Sequence, residues 1–65
     1  MKYAKLIVRT GHGWTVRYIQ FSNSDDFERY LERYYKNKEY DWDELSEDKA
    51  MMLKKVYPKL VWKTI

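Results

Sequence analysis

Three features of this 65-residue sequence predict an α+β fold of the order β-β-α-α-β. Two stretches of period-two alternation open the chain. Two segments with capping residues and helical apolar spacing follow, and a short apolar run after Pro58 closes it. Together they predict two helices packed on one face of a small three-stranded, mainly antiparallel sheet, all within one compact domain spanning residues 1–65.

The first strand is Tyr3–Thr10, where Ala4, Leu6 and Val8 alternate with Tyr3, Lys5, Ile7 and Arg9. The second is Trp14–Phe21, where Trp14, Val16 and Tyr18 alternate with Thr15, Arg17, Ile19 and Phe21. A three-residue loop, Gly11-His12-Gly13, sets Val8 opposite Val16 and Leu6 opposite Tyr18. That register gathers Ala4, Leu6, Val8, Trp14, Val16 and Tyr18 on a core-facing side. A two-residue turn would instead set Arg9 opposite Trp14 and Leu6 opposite Arg17, mixing charge into that side. Because a one-residue slip inverts every side chain, the three-residue loop is the expected one, with Gly13 in a left-handed bulge position.

Ser22-Asn23-Ser24-Asp25-Asp26 marks a helix start, with capping side chains followed by acids in the first turn. Phe27, Tyr30, Leu31, Tyr34 and Tyr35 then give one buried helical face. Asp25–Arg29 and Glu32–Lys36 have the spacing of supporting ion pairs, and Asn37 suits a left-handed stop. Residues 38–45 break the apolar period and read as a loop anchored by Tyr40 and Trp42. Ser46 caps the second helix, with Glu47 and Asp48 in its positive first turn and Leu45 poised to staple onto Ala50. Met52, Leu53 and Val56 form its expected inward side, with Tyr57 beside them, and Pro58 ends it. Residues 60–65 complete the sheet as the third strand, in the order 1-2-3 and antiparallel to the second strand, in preference to the order 3-1-2, in which it would pair in parallel with the first.

Cysteine is absent, which excludes disulfides and thiolate metal sites, so stability rests on apolar burial. The chain opens Met1-Lys2-Tyr3, and its run Leu6-Ile7-Val8 is far shorter than a signal-peptide core. No stretch approaches the length of a membrane span. A small secreted domain would carry disulfides, so cytoplasmic residence without membrane contact is the expectation.

Charge is segregated along the chain. Residues 1–21 hold Lys2, Lys5, Arg9 and Arg17 with no acid, and residues 22–48 hold all 10 acids. Residues 49–65 hold only lysines among charged types. Such segregation gives a molecule an electrostatic dipole with a positive binding side.

Signals for catalysis and cofactors are weak. His12 is the only histidine, stands between two turn glycines and lacks nearby metal-ligand spacing, so it reads as a solvated turn residue. Gly11 and Gly13 precede a strand, whereas phosphate-cradling glycines open onto a helix. The acids Asp41, Asp43, Glu44, Glu47 and Asp48 lack the glycine of a calcium loop. Neither an enzyme activity nor a cofactor is expected.

The outer face of the hairpin is the candidate site. In the chosen register it carries Tyr3, Lys5, Ile7, Arg9, Thr15, Arg17, Ile19 and Phe21, extended by Val61, Lys63 and Ile65. A basic, aromatic and acid-free surface of this kind suits a partner protein with an acidic surface, with Tyr3, Ile7, Ile19 and Phe21 as anchors and Lys5, Arg9, Arg17 and Lys63 as charge contacts. A second copy of the chain is a further occupant that would cover it. Single-stranded nucleic acid is the alternative occupant, since its binders also combine cations with aromatic platforms. The size and the hairpin-plus-helix plan resemble phage-encoded inhibitors of host machinery, a likeness of size and shape that assigns no residue a role.

Overall fold

β-branched and aromatic residues alternate along β1 (Lys2–Thr10) and β2 (Gly13–Phe21), and the two strands pair antiparallel over their whole length. In the computed structural model, which describes residues 1–65, this hairpin is the centre of a four-stranded sheet. From β2 the chain enters helix α1 (Ser24–Tyr35), then strand β3 (Tyr40–Leu45), helix α2 (Glu47–Val56) and strand β4 (Trp62–Thr64). The strand order is β3-β1-β2-β4. Mixed α and β content agrees with the α+β class, but the sheet is not the three-stranded one expected.

Residues 40–45 form a strand rather than a loop, pairing antiparallel with β1 so that Leu6 faces Trp42 and Lys5 faces Asp43. The alternation of Tyr40 and Trp42 with Asp41 and Asp43 fits a strand, although acids disfavour one. An edge position tolerates them, because charge there discourages pairing with other chains. At the opposite edge β4 runs parallel to β2, with Tyr18 beside Trp62, whereas an antiparallel strand was expected.

The register also differs. Gly11-His12 is a two-residue turn, Thr10 pairs with Gly13, Arg9 with Trp14 and Leu6 with Arg17. Gly13 does take the left-handed region, at φ +114°. The Thr10 hydroxyl donates to the Gly13 carbonyl at 3.0 Å and accepts from the His12 N–H at 3.3 Å. Energetics explain why this register wins. The three-residue loop would take Ile19 and Phe21 off the face beneath α1, where full burial of a large apolar side chain contributes about 1.5–3 kcal/mol. In the observed register both are at most 1% exposed. Arg17, now on their face, remains exposed, since a long stem carries its charge to water.

Both sheet faces are therefore covered, and the two helices lie on opposite faces rather than one. Phe27 and Leu31 of α1 pack on Ala4, Leu6, Val8, Ile19 and Phe21, with Phe21 and Phe27 stacked at 4.4 Å. On the other face Ala50 and Leu53 of α2 meet Tyr3, Tyr18, Leu45 and Trp62. Met52, Val56 and Tyr57 are 54%, 58% and 59% exposed, so the inward side of α2 is Ala50, Leu53 and Lys54. Lys54 Nζ donates to Gln20 Oε1 at 2.9 Å and lies 5.1 Å from the Tyr3 ring, a cation–π contact over the small core.

The helix ends follow their capping chemistry. Asn23 Oδ1 accepts from the Asp25 N–H at 2.8 Å, and Ser46 Oγ accepts from the Lys49 N–H at 3.2 Å. Asn37 is not left-handed, and Asp26–Arg29 at 3.8 Å replaces the expected Asp25–Arg29 pair. No helix is long and apolar enough to cross a membrane.

Ile19→Val should lower stability in urea unfolding by about 1 kcal/mol, the usual cost of one buried methyl. Val61→Ala, at a residue 83% exposed, should stay within about 0.5 kcal/mol. Equal losses at the two positions would contradict the observed register.

Candidate functional site

The two-residue turn redistributes the residues that the sequence placed on one outer face. Cross-strand partners share a face, so Tyr3, Lys5, Ile7 and Arg9 now stand with Trp14, Val16 and Tyr18. Arg17, Ile19 and Phe21 stand on the opposite face, where Lys63 pairs beside Ile19. Ile19 and Phe21 are buried beneath α1, and Tyr3 is buried beneath α2, edge-on to Trp62 at 5.7 Å. These three are core residues and are not available as contact anchors. Lys5, Arg9, Arg17 and Lys63 are exposed, and Ile7 is half-buried.

What remains open follows from helix length. At about 1.5 Å per residue the ten-residue α2 is roughly half as long as nine-residue strands rising about 3.4 Å per residue. It covers the end of its face that carries Tyr3 and Leu45, leaving the end near the turn bare. There Ile7 pairs with Val16 and Arg9 with Trp14; Val16 is 44% exposed and Trp14 54%. A cleft of about 430 Å³ lies beside α2, lined by Lys5, Tyr18, Leu45, Lys49, Leu53, Tyr57 and Leu60. Trp14 and Val16, assigned to the core from sequence, are thus the exposed apolar residues of this face. A stranded acidic segment and a two-residue turn were the signals that could have revealed them.

A second groove, of about 410 Å³, follows the outer edge of β2 where β4 ends. Val16, Tyr18, Leu60 and Trp62 line it from one face, and Arg17, Ile19, Tyr30, Tyr35 and Lys63 from the other. Burial pushes the Tyr30 phenol up to about 12, helped by a hydrogen bond with Tyr35, while the nearby Arg17 guanidinium acts in the opposite direction.

Space rearranges the charge pattern of the sequence. The cations of β1 lie beside the acids of β3: Lys5 pairs across to Asp43, and Arg9 reaches Glu39 at 3.4 Å. Both members of that ion pair are more than half exposed, so it contributes at most about 1 kcal/mol. Arg17 and Lys63, on the far side of the sheet, form no ion pair and line a groove without a single acid. Lys5 likewise forms no ion pair, and with Lys49 it lines the cleft beside α2, which also holds no acid, so unpaired positive charge borders both grooves.

His12 is exposed at the turn, and no three His, Asp or Glu side chains gather closely enough to hold a metal ion. No family model, curated protein or solved structure matches the chain. The surface at the turn end combines an exposed indole, two β-branched side chains, a groove and unpaired cations.

Tyr30 also predicts an alkaline response. Its folded pKa exceeds the unfolded value of 10.0, so its contribution is complete below pH 10 and is lost as pH rises through about 12. Stability measured by urea unfolding should fall across that window, and Tyr30→Phe should flatten the fall. An unchanged slope in the variant would refute the assignment.

Proposed function

We propose that this protein is a non-enzymatic interaction protein that binds and modulates a partner protein carrying acidic groups, through the bare end of the β1–β2 hairpin and the adjoining β2 edge. The observation that carries the reading is the exposure of Trp14 and Val16 around Ile7, on a sheet face that α2 leaves uncovered. A Trp at the centre of a small apolar patch is the usual anchor of a protein interface, and Arg is enriched beside such anchors. Arg17 and Lys63 supply charge free of internal partners. The proposed mode of action is occupation of the partner's surface, as in phage-encoded inhibitors of host machinery, and the proposed setting is the cytoplasm.

Nucleic acid is the weaker reading for this face, because Asp41 and Asp43 pair with Ile7 and Lys5 and stand beside it. Phosphates approaching Lys5 would meet those carboxylates.

Immobilised protein exposed to a lysate of its native host should capture a protein partner, and nuclease treatment should leave the capture intact. Trp14→Ala should weaken the captured complex roughly thirtyfold, the loss typical of an aromatic hot spot, with circular dichroism unchanged. Capture that disappears on nuclease treatment would favour nucleic acid, and capture by the variant at full strength would refute this surface.

A further inference from the structure

The backbone at the β2 edge points to how such a partner is held. The turn residues Thr10 and Gly13 form the pair that closes the hairpin, so alternate residues of β2 direct their N–H and C=O groups away from β1. The Gln20 carbonyl confirms the phase, since it accepts from the Ile65 N–H at 3.0 Å on the outer side. Tyr18 and Gln20 have β4 beside them, but β4 pairs no further toward the turn than Tyr18. The outward N–H and C=O groups of Trp14 and Val16 therefore face an open edge.

The two edges of the sheet differ in this respect. On β3 the Trp42 N–H is capped at 2.9 Å by Oδ1 of Asp41, and Asp43 and Glu44 add charge to the same strand. Capping and like charge are devices that keep a strand from joining its edge. The β2 edge between Gly13 and Arg17 has neither, and it opens into the groove bearing Arg17 and Lys63.

We propose that this free β2 edge receives an extended segment of a partner protein as an added strand, one whose side chains alternate between apolar and acidic. The proposal rests on the interaction reading above and specifies its geometry. Successive side chains of an added strand fall on opposite faces of the sheet. One set would lie beside Val16 and Trp14 and is best apolar; the other would lie beside Arg17 and Lys63 and is best acidic. Main-chain bonds to Trp14 and Val16 would supply affinity and the alternation specificity. A second copy of the chain is a poorer occupant. Its β2 edge would bring another Arg17 and no acid to meet the first.

The test uses a fluorescent seven-residue peptide alternating Val and Glu, beginning and ending on Val. It should bind the intact protein, slow amide hydrogen exchange at Trp14 and Val16, and lose to its Val/Lys counterpart on the Arg17→Glu variant. Val16→Pro removes one edge N–H at a position where an edge strand tolerates proline, and should weaken binding roughly tenfold. Should that variant misfold, the peptide carries the same test. Of two versions N-methylated at alternate residues, one should lose binding and the other keep it. Absence of binding at about 1 mM, the weak end of measurable affinity, overturns the proposal, as does equal binding of the two methylated versions. Dimerisation in sedimentation that Val16→Pro abolishes also overturns it, naming a second copy as occupant. Partner capture that is lost in Trp14→Ala but retained in Val16→Pro would overturn strand addition alone and leave the interaction reading standing.

Discussion

The structure depends on burying both faces of one hairpin. Sixty-five residues without a disulfide must find their stability in apolar contacts. β1 and β2 supply apolar side chains to both sides of the sheet: Ala4, Leu6, Val8, Ile19 and Phe21 on one, Tyr3 and Tyr18 on the other. One helix on one face could satisfy only half of that demand. The chain therefore passes over the sheet with α1, crosses to its far edge as β3, and returns beneath it with α2. Each crossing ends in a strand that widens the sheet on one side, first beside β1 and then beside β2.

This division of labour explains what sequence reasoning recovered and what it missed. The helices were legible because their signals are local: Asn23 and Ser46 cap them, and Phe27 and Leu31 face the sheet at helical spacing. The hairpin was legible for the same reason, since alternation and turn glycines lie within a few residues of one another. Register was not local. Choosing between two loop lengths required knowing that a second helix would cover the other face, which turns Tyr3, Tyr18 and Trp62 into core residues. With only one buried face assumed, Arg17 opposite Leu6 looked prohibitive. With two, it is a modest cost beside the burial of Ile19 and Phe21.

The same error moved the candidate surface without abolishing it. Lys5, Ile7 and Arg9 stay together on one face, but their neighbours are Trp14 and Val16 instead of Arg17 and Phe21. The stretch 38–45, which reads as a loop from sequence, comes to lie against β1, and its acids offset the cations there, as Arg9 with Glu39 illustrates. Charge segregation along a chain thus says little about charge segregation in space until strand order is known. Here the acidic strand sits at one edge and the unpaired Arg17 and Lys63 toward the other.

The mismatch in length between strands and helices then becomes the source of the open surface. Long strands give the central hairpin enough main-chain bonds to hold a four-stranded sheet, but the ten-residue α2 cannot shield the turn end of its own face, while under α1 burial extends to Val8. β4, only three residues long, likewise stops before the turn. The result is a turn end where, on the α2 face and along the β2 edge, an indole, a valine and two pairs of backbone groups meet solvent. A monomer gains nothing from leaving Trp14 and Val16 half in water, because burying the exposed half of each would stabilise it by about 1 kcal/mol. Their exposure is the physical reason for seeking a partner at this end, and the unguarded β2 edge is the reason for expecting that partner to be extended.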